Sequence, residues 1–231
     1  MFLADIFGQI KIMAWFTNDY LAFFRELTKN NNKEWFDANK KRYETSVKKP
    51  FEAFVAEVIA RVAKVDKRVR IEPKEAIFRI NRDIRFSNDK TPYKLNRSAL
   101  VSPAGRRDHN APGIYFQLGA DSVGFYGGAY QPEKDELQRL RERIMDEPKK
   151  FRALYQDKTF KKLLGEVQGE KNKILPAEFR EAAAKEPLLY NKQFYYGADL
   201  PAKAVVDPKL PDILMDHYHA MRPMSLFLLE K

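Results

Sequence analysis

The stretch Ile114-Tyr115-Phe116-Gln117-Leu118-Gly119-Ala120-Asp121-Ser122 determines the class of fold. Every second residue from Ile114 to Leu118 is apolar, which is the two-residue period of a β-strand with one buried face. The turn residues that follow allow only a tight connection, so the chain must return as an antiparallel neighbour. Ser122 to Tyr130 is the returning strand. The sequence therefore predicts a mostly antiparallel sheet.

Other segments are also short, bounded by turn residues and rich in β-branched or aromatic side chains. They are Ile77 to Asn81, Ser98 to Ser102 and Phe194 to Leu200. Together with the hairpin they predict a sheet of about four to five strands.

Helical signals flank these strands on both sides. A third N-terminal helix begins at Pro50, where proline suits a first turn, and carries an apolar stripe at helical spacing. That stripe is Phe51, Phe54, Val55, Val58, Ile59 and Val62. The other predicted helices begin at or near Thr17, Asn31, Pro132, Pro148, Asp157, Phe179 and Pro208, and Pro223 is expected to end or kink the last.

These signals predict a single α+β domain over residues 15–231, with helices at both ends packed on the sheet and residues 1–14 as an N-terminal extension. A chain of 231 residues, 44% of them hydrophobic, can bury a substantial core as one domain. The chain has no cysteine, which excludes disulfides and thiolate metal sites and indicates a reducing, cytoplasmic compartment. The N-terminus contains Asp5 and Lys11 and matches neither a signal peptide nor a membrane span.

Known catalytic and cofactor signatures are missing from the sequence. The three histidines are His109, His217 and His219, and none has the spacing of a metal ligand pair or a triad. No Gly-x-Gly-x-x-Gly, Walker-type or Gly-x-Ser-x-Gly motif is present. We therefore expect neither a metal nor a cofactor.

The net charge of +10 is concentrated between residues 67 and 107, which hold twelve basic and four acidic side chains. Such an excess attracts anions. Five cations between Phe78 and Lys94 are the candidate ligand-binding residues: Arg79, Arg82, Arg85, Lys90 and Lys94. In an enzyme, Asp83 would be the nearest base and Tyr93 a candidate acid.

The segment from Arg79 to Lys94, here called the basic run, resembles part of a known family. Its pattern is Arg82-Asp83-x-Arg85-Phe86-Ser87-x-Asp89-Lys90-x-Pro92-Tyr93-Lys94, accompanied by Asn32-x-Glu34-Trp35-Phe36 and by Phe194-Tyr195. These motifs are similar to those of domain of unknown function 2461, and the resemblance extends from about Trp15 to Leu229. It implies a single domain with no assigned reaction, so it provides no catalytic residues.

Four interpretations of the basic run remain open. The first is a site for a phosphorylated or other anionic small molecule, with Gly124, Gly127 and Gly128 either allowing a close approach of the ligand or marking a bulge. The second is nucleic-acid binding through Phe78, Phe86 and Tyr93, which interleave with the cations. The others are a protein-interaction module using Trp35 and Phe36, and a purely structural network in which Asp83 and Asp89 pair with arginines while Phe86 and Tyr93 belong to the core.

Overall fold

Four strands form one antiparallel sheet in the computed structural model, which describes residues 14–107 and 111–229. The strands are β1 (Asn96–Val101), β2 (Ile114–Gly119), β3 (Ser122–Ala129) and β4 (Phe194–Pro201), and they lie in the order β1-β2-β3-β4. The tight turn after Gly119 pairs Leu118 with Val123, as the alternation predicts. The predicted α+β class with four to five strands is confirmed.

The α-helices of the described residues fall into three groups by their position relative to the strands. The helices are α1 (Asn18–Lys29), α2 (Lys33–Ala38), α3 (Lys40–Arg42), α4 (Lys49–Val65), α5 (Pro73–Ala76), α6 (Lys134–Asp146), α7 (Pro148–Gln156), α8 (Lys158–Leu164), α9 (Ala177–Lys185) and α10 (Leu210–Leu229). Helices α1 to α5 precede β1, α6 to α9 lie between β3 and β4, and α10 follows β4. The cap of α2 is Asn32, whose side chain accepts the Trp35 N–H. Asn31 instead bonds the backbone of Tyr93 in both directions, which joins α2 to the basic run.

The core lies between one face of the sheet and helices α1, α4, α8 and α10. All six residues of the predicted stripe on α4 are buried. Phe54 packs edge-on against Phe116 of β2, and Phe160 of α8 packs against Tyr196 of β4. Arg97 of β1 pairs with Leu118, so its side chain projects from the same face as these apolar residues.

The entry into α4 differs from a simple proline start. A π-helical turn (Tyr43–Lys48) precedes it, and the Lys49 N–H bonds the Glu44 carbonyl five residues back. Pro50 has no N–H and its ring would clash with the carbonyl four residues earlier, so the wider turn accommodates it. The helix therefore continues through Pro50, and the first turn of α4 is not a free N-terminus.

The predicted strand from Ile77 to Asn81 is wrong as a regular strand. Ile77 pairs with Ala99, but Asn81 pairs with Tyr93 rather than with Leu95, so the register shifts between two isolated bridges. The Phe78 carbonyl, between the bridges, accepts a hydrogen bond from the Arg97 guanidinium. The Arg97 side chain thus bonds a backbone oxygen of this segment, and the ladder of backbone hydrogen bonds is interrupted at Phe78.

Other details depart from the sequence predictions as well. Helix α10 continues to Leu229, so Pro223 does not end it, while a kink at Pro223 stays a prediction. Side chains of the protein itself occupy the space beside two glycines of β3. The Tyr126 ring covers Gly124, and Gly127 packs against Met221. His109 and all of the predicted extension 1–14 except Ala14 lie outside the described residues.

Candidate functional site

Residues 82–91 form a loop, here called the basic loop, whose charged side chains largely bond one another. Arg82 donates to Asp89 and to the Thr91 hydroxyl. Arg85 makes a forked pair with Asp83, with Nε–Oδ1 and Nη2–Oδ2 distances of 3.0 and 2.7 Å. Both predicted aspartate–arginine pairings are therefore present.

Lys90 also bonds within the basic loop, since its Nζ donates to the Ile84 carbonyl at 3.0 Å. The Arg85 guanidinium and backbone N–H lower the pKa of Asp83 to about 2. The Thr91 N–H and the Arg82 guanidinium lower that of Asp89 to about 2 as well. These carboxylates are strong acceptors and correspondingly weak bases at neutral pH.

The two aromatic residues of the loop region have opposite environments. Tyr93 is buried and stacks on Phe36, with ring centroids 4.0 Å apart. Phe86 is 95% exposed, so its assignment to the core is wrong. Burial raises the pKa of Tyr93, and the phenol has no hydrogen-bond partner in the described part of the chain. Tyr93 is therefore placed as a core residue rather than beside a reactive group.

A cleft of about 750 Å³ opens next to the basic loop, between α4, the segment 72–79 and the edge of β1. We call it the basic cavity. It is lined by Glu52, Glu72, Pro73, Lys74, Ile77, Phe78, Arg79, Arg97 and Arg106. Its volume is in the range of small-molecule sites, and it combines an apolar wall with several guanidinium groups.

Arg97 is the most unusual residue of the basic cavity. It is only 5% exposed, and no carboxylate in residues 14–107 or 111–229 forms an ion pair with it. Its Nη1 donates to the Phe78 carbonyl at 3.0 Å, its guanidinium lies 5.4 Å from the Phe51 ring centroid, and its Nε has no partner among these residues. A buried cation without a counter-charge is costly.

Two further arginines add positive charge to the same cleft. The Arg79 side chain is 67% exposed, and its nearest carboxylate, Asp83 at 3.9 Å, is already paired with Arg85. Arg106 donates to the carbonyls of Lys74 and Ile77, which fixes the turn of α5 against the cavity. Lys74 pairs with Glu72 at 2.7 Å, so these two charges largely compensate each other.

Lys94 lies beside the cavity without lining it. Its Nζ is 5.4 Å from the ring centroid of Phe78. Burial lowers the pKa of Lys94, and the nearby charges of Arg97 and Arg79 lower it further. Three cations are thus close enough to repel one another, an arrangement that a bound anion would relieve.

The structure therefore divides the five predicted binding residues. Arg79 lines the cavity and Lys94 adjoins it, whereas Arg82, Arg85 and Lys90 bond within the basic loop. Sequence reasoning missed Arg97, Arg106 and Glu52. One signal for Arg97 was available: it alternates in phase with Ala99 and Val101, so it is a charge at a core-facing position of a strand.

No group of three histidine, aspartate or glutamate side chains in the described residues has the arrangement of a metal site. None of the helices in residues 14–107 and 111–229 has the length and apolar character needed to cross a membrane. Trp35 is half-buried and packs against Phe23, and Phe36 is buried; a protein-interaction role for these two aromatics stays a prediction.

Fold and cavity together define the class: the described residues form a single-domain α+β protein whose antiparallel sheet has an arginine-lined cleft at its β1 edge. The chain belongs to the family of conserved hypothetical proteins DUF2461, whose profile matches residues 19–227. The resemblance read from the motifs is therefore confirmed. No curated protein matches the chain.

Proposed function

We propose that this protein binds an anionic small molecule, phosphorylated or carboxylated, in the basic cavity. Arg97 is its central contact, and Arg79 and Arg106 add charge at the rim. The observation that carries the proposal is the burial of Arg97 without any carboxylate partner in the described residues and with an unbonded Nε. Arginine suits this role because its fork matches the oxygens of phosphate and carboxylate.

Calorimetric titration with inorganic phosphate and pyrophosphate at constant ionic strength tests the proposal. Arg97→Met removes the buried charge, and we expect it to weaken binding at least about tenfold, as for loss of a charged hydrogen bond. Arg85→Gln removes the same charge from the basic loop, where the side chain is 76% exposed, and should bind like the wild type. Equal binding by Arg97→Met and the wild type would contradict the proposal.

One observation supports single-stranded nucleic acid as a second candidate ligand. Phe86 is 95% exposed at the basic loop, and the Arg85 guanidinium lies 5.8 Å from its ring centroid. An exposed ring beside cations is the arrangement on which bases stack. Tyr93 is buried, however, and Phe78 is half-buried, so only one of the three aromatics is fully presented.

Fluorescence anisotropy with labelled single-stranded RNA and DNA separates the two candidates. Nucleic-acid binding through the loop predicts affinity that falls steeply with salt and that drops in Phe86→Ser. Phosphate binding in the cavity predicts no effect of Phe86→Ser on pyrophosphate affinity. Salt-independent or undetectable anisotropy changes would eliminate the nucleic-acid candidate.

A further inference from the structure

Glu52 is one of the two acids that line the basic cavity, and it is half-buried. It lies in the first turn of α4 and lines the same cleft as Arg97 and Arg79. No hydrogen bond or ion pair engages its carboxylate within residues 14–107 and 111–229. The other acid of the cleft, Glu72, is paired with Lys74 at 2.7 Å.

Helix capping does not account for Glu52 either. Acidic residues in a first turn usually compensate free backbone N–H groups and the positive end of the helix dipole. Here the π-helical turn continues into α4, and the Lys49 N–H is bonded to the Glu44 carbonyl. The first turn therefore has no free N-terminus that would stabilise the charge of Glu52.

Glu52 and Arg97 both influence the pKa of the same residue, Tyr43. Burial is the main cause that raises the pKa of Tyr43, Arg97 opposes this shift, and Glu44 and Glu52 add to it. Both the acid and the arginine thus lie within electrostatic range of one phenol, although no direct ion pair joins them. The basic cavity therefore has a cationic part, formed by its arginines, and a separate hydrogen-bond acceptor, the Glu52 carboxylate.

The size and walls of the cavity indicate a ligand larger than a simple anion. A volume of about 750 Å³ is suited to a metabolite-sized molecule. Pro73, Ile77 and Phe78 form an apolar wall for a carbon skeleton between the charged groups. A phosphate alone would engage only the arginines and would be repelled by Glu52.

We infer that the ligand is a small phosphorylated polyol or amine, whose anionic group binds Arg97 while a hydroxyl or ammonium group donates to Glu52. This inference rests on the proposed anion site. It assigns Glu52 a role in specificity: it disfavours simple anions and favours anions that carry a hydrogen-bond donor.

Matched probes test this role by calorimetry. O-phosphoethanolamine is compared with ethyl phosphate, and glycerol 3-phosphate with propyl phosphate, so that each pair differs in its donors. In Glu52→Gln we expect donor-bearing probes to bind at least about tenfold more weakly, since a charged hydrogen bond is lost. The alkyl phosphates should bind several-fold more tightly, since a repulsive charge is removed.

Glu57→Gln is the control, because Glu57 is on the same helix, pairs with Arg61 at 2.6 Å and does not line the cavity. It should leave all four affinities unchanged. If Glu52→Gln alters both members of each pair alike while Arg97→Met abolishes binding, the role of Glu52 is refuted and the anion site stands. If no phosphate probe binds the wild type, or Arg97→Met binds normally, the proposed function itself fails and the role of Glu52 with it.

Discussion

Replacing Arg97 by methionine should remove anion binding without destabilising the ligand-free protein. The substitution removes a guanidinium that is 5% exposed, has no carboxylate partner in the described residues and leaves its Nε unbonded. Methionine has a similar length and can pack on the Phe51 ring that the guanidinium now covers.

The expected change follows from opposing contributions. Loss of the hydrogen bond to the Phe78 carbonyl costs about 1–3 kcal/mol. Loss of the cation–π contact with Phe51 costs about 1–2 kcal/mol. Removing a buried charge recovers several kcal/mol of desolvation. We expect the free energy of unfolding to stay within about 1 kcal/mol of the wild type, or to rise.

Arg141 provides the matched control. It is also buried and lies over an aromatic ring, that of Phe179, but its Nε and Nη2 donate to the carbonyls of Leu189 and Asn191. Arg141 likewise has no carboxylate partner in the described residues, so both substitutions recover the desolvation of a buried cation. Arg141→Met removes the donors of two buried carbonyls and Arg97→Met the donor of one, so Arg141→Met should be the more destabilising by about 1–3 kcal/mol.

Urea denaturation of both variants in phosphate-free buffer, followed by far-ultraviolet circular dichroism, measures these differences. The refuting result is an Arg97→Met variant that loses as much stability as Arg141→Met. Arg97 would then serve to stabilise the fold, and its missing counter-charge would not indicate a ligand.

Three further predictions concern individual residues. In an NMR titration, the Asp83 carboxyl carbon should have a midpoint near the expected pKa of about 2. The ionised carboxylate stabilises the fold at pH values above its ordinary pKa of 3.8, and this stabilisation is lost as the pH falls toward 2. In Arg85→Gln that midpoint should return toward 3.8, and an unchanged midpoint would contradict the pairing. Tyr93→Phe should alter the free energy of unfolding by less than about 0.5 kcal/mol in thermal or urea melts, whereas Tyr93→Ala should cost about 3–5 kcal/mol; a large loss in Tyr93→Phe would reveal a role for the phenol. Gly124→Ala should destabilise by about 1–3 kcal/mol in the same melts, because its Cβ would overlap the Tyr126 ring, and wild-type stability would show that the ring moves freely.

Sequence patterns were accurate where local periodicity governs structure. Alternation from Ile114 to Leu118 and the short turn after Gly119 were sufficient for the central hairpin. The stripe from Phe51 to Val62 was sufficient for the buried face of α4. In both cases each residue's environment repeats with the period of its own element, so the pattern is visible without knowledge of the partner.

Local rules failed where a distant group competed with them. The segment Ile77 to Asn81 has strand-like residues, but Arg97 takes the Phe78 carbonyl and the register shifts. Pro223 would end an isolated helix, yet α10 continues past it in a packed core. Tertiary contacts outweigh intrinsic preferences that amount to only a few kcal/mol.

The basic run shows the same division. Its motif identified the family and placed carboxylates close to arginines, and those near neighbours in sequence pair in the structure: Asp83 with Arg85, and Arg82 with Asp89. The sequence by itself determined the fold class and the family, and it gave this local neutralisation as one of several alternatives. Only the tertiary structure brought Glu52, Arg79, Arg97 and Arg106 to one cleft, because they come from different elements and meet through the packing of α4 on β1. Charge composition is a property of the chain, but an uncompensated buried charge is a property of the fold.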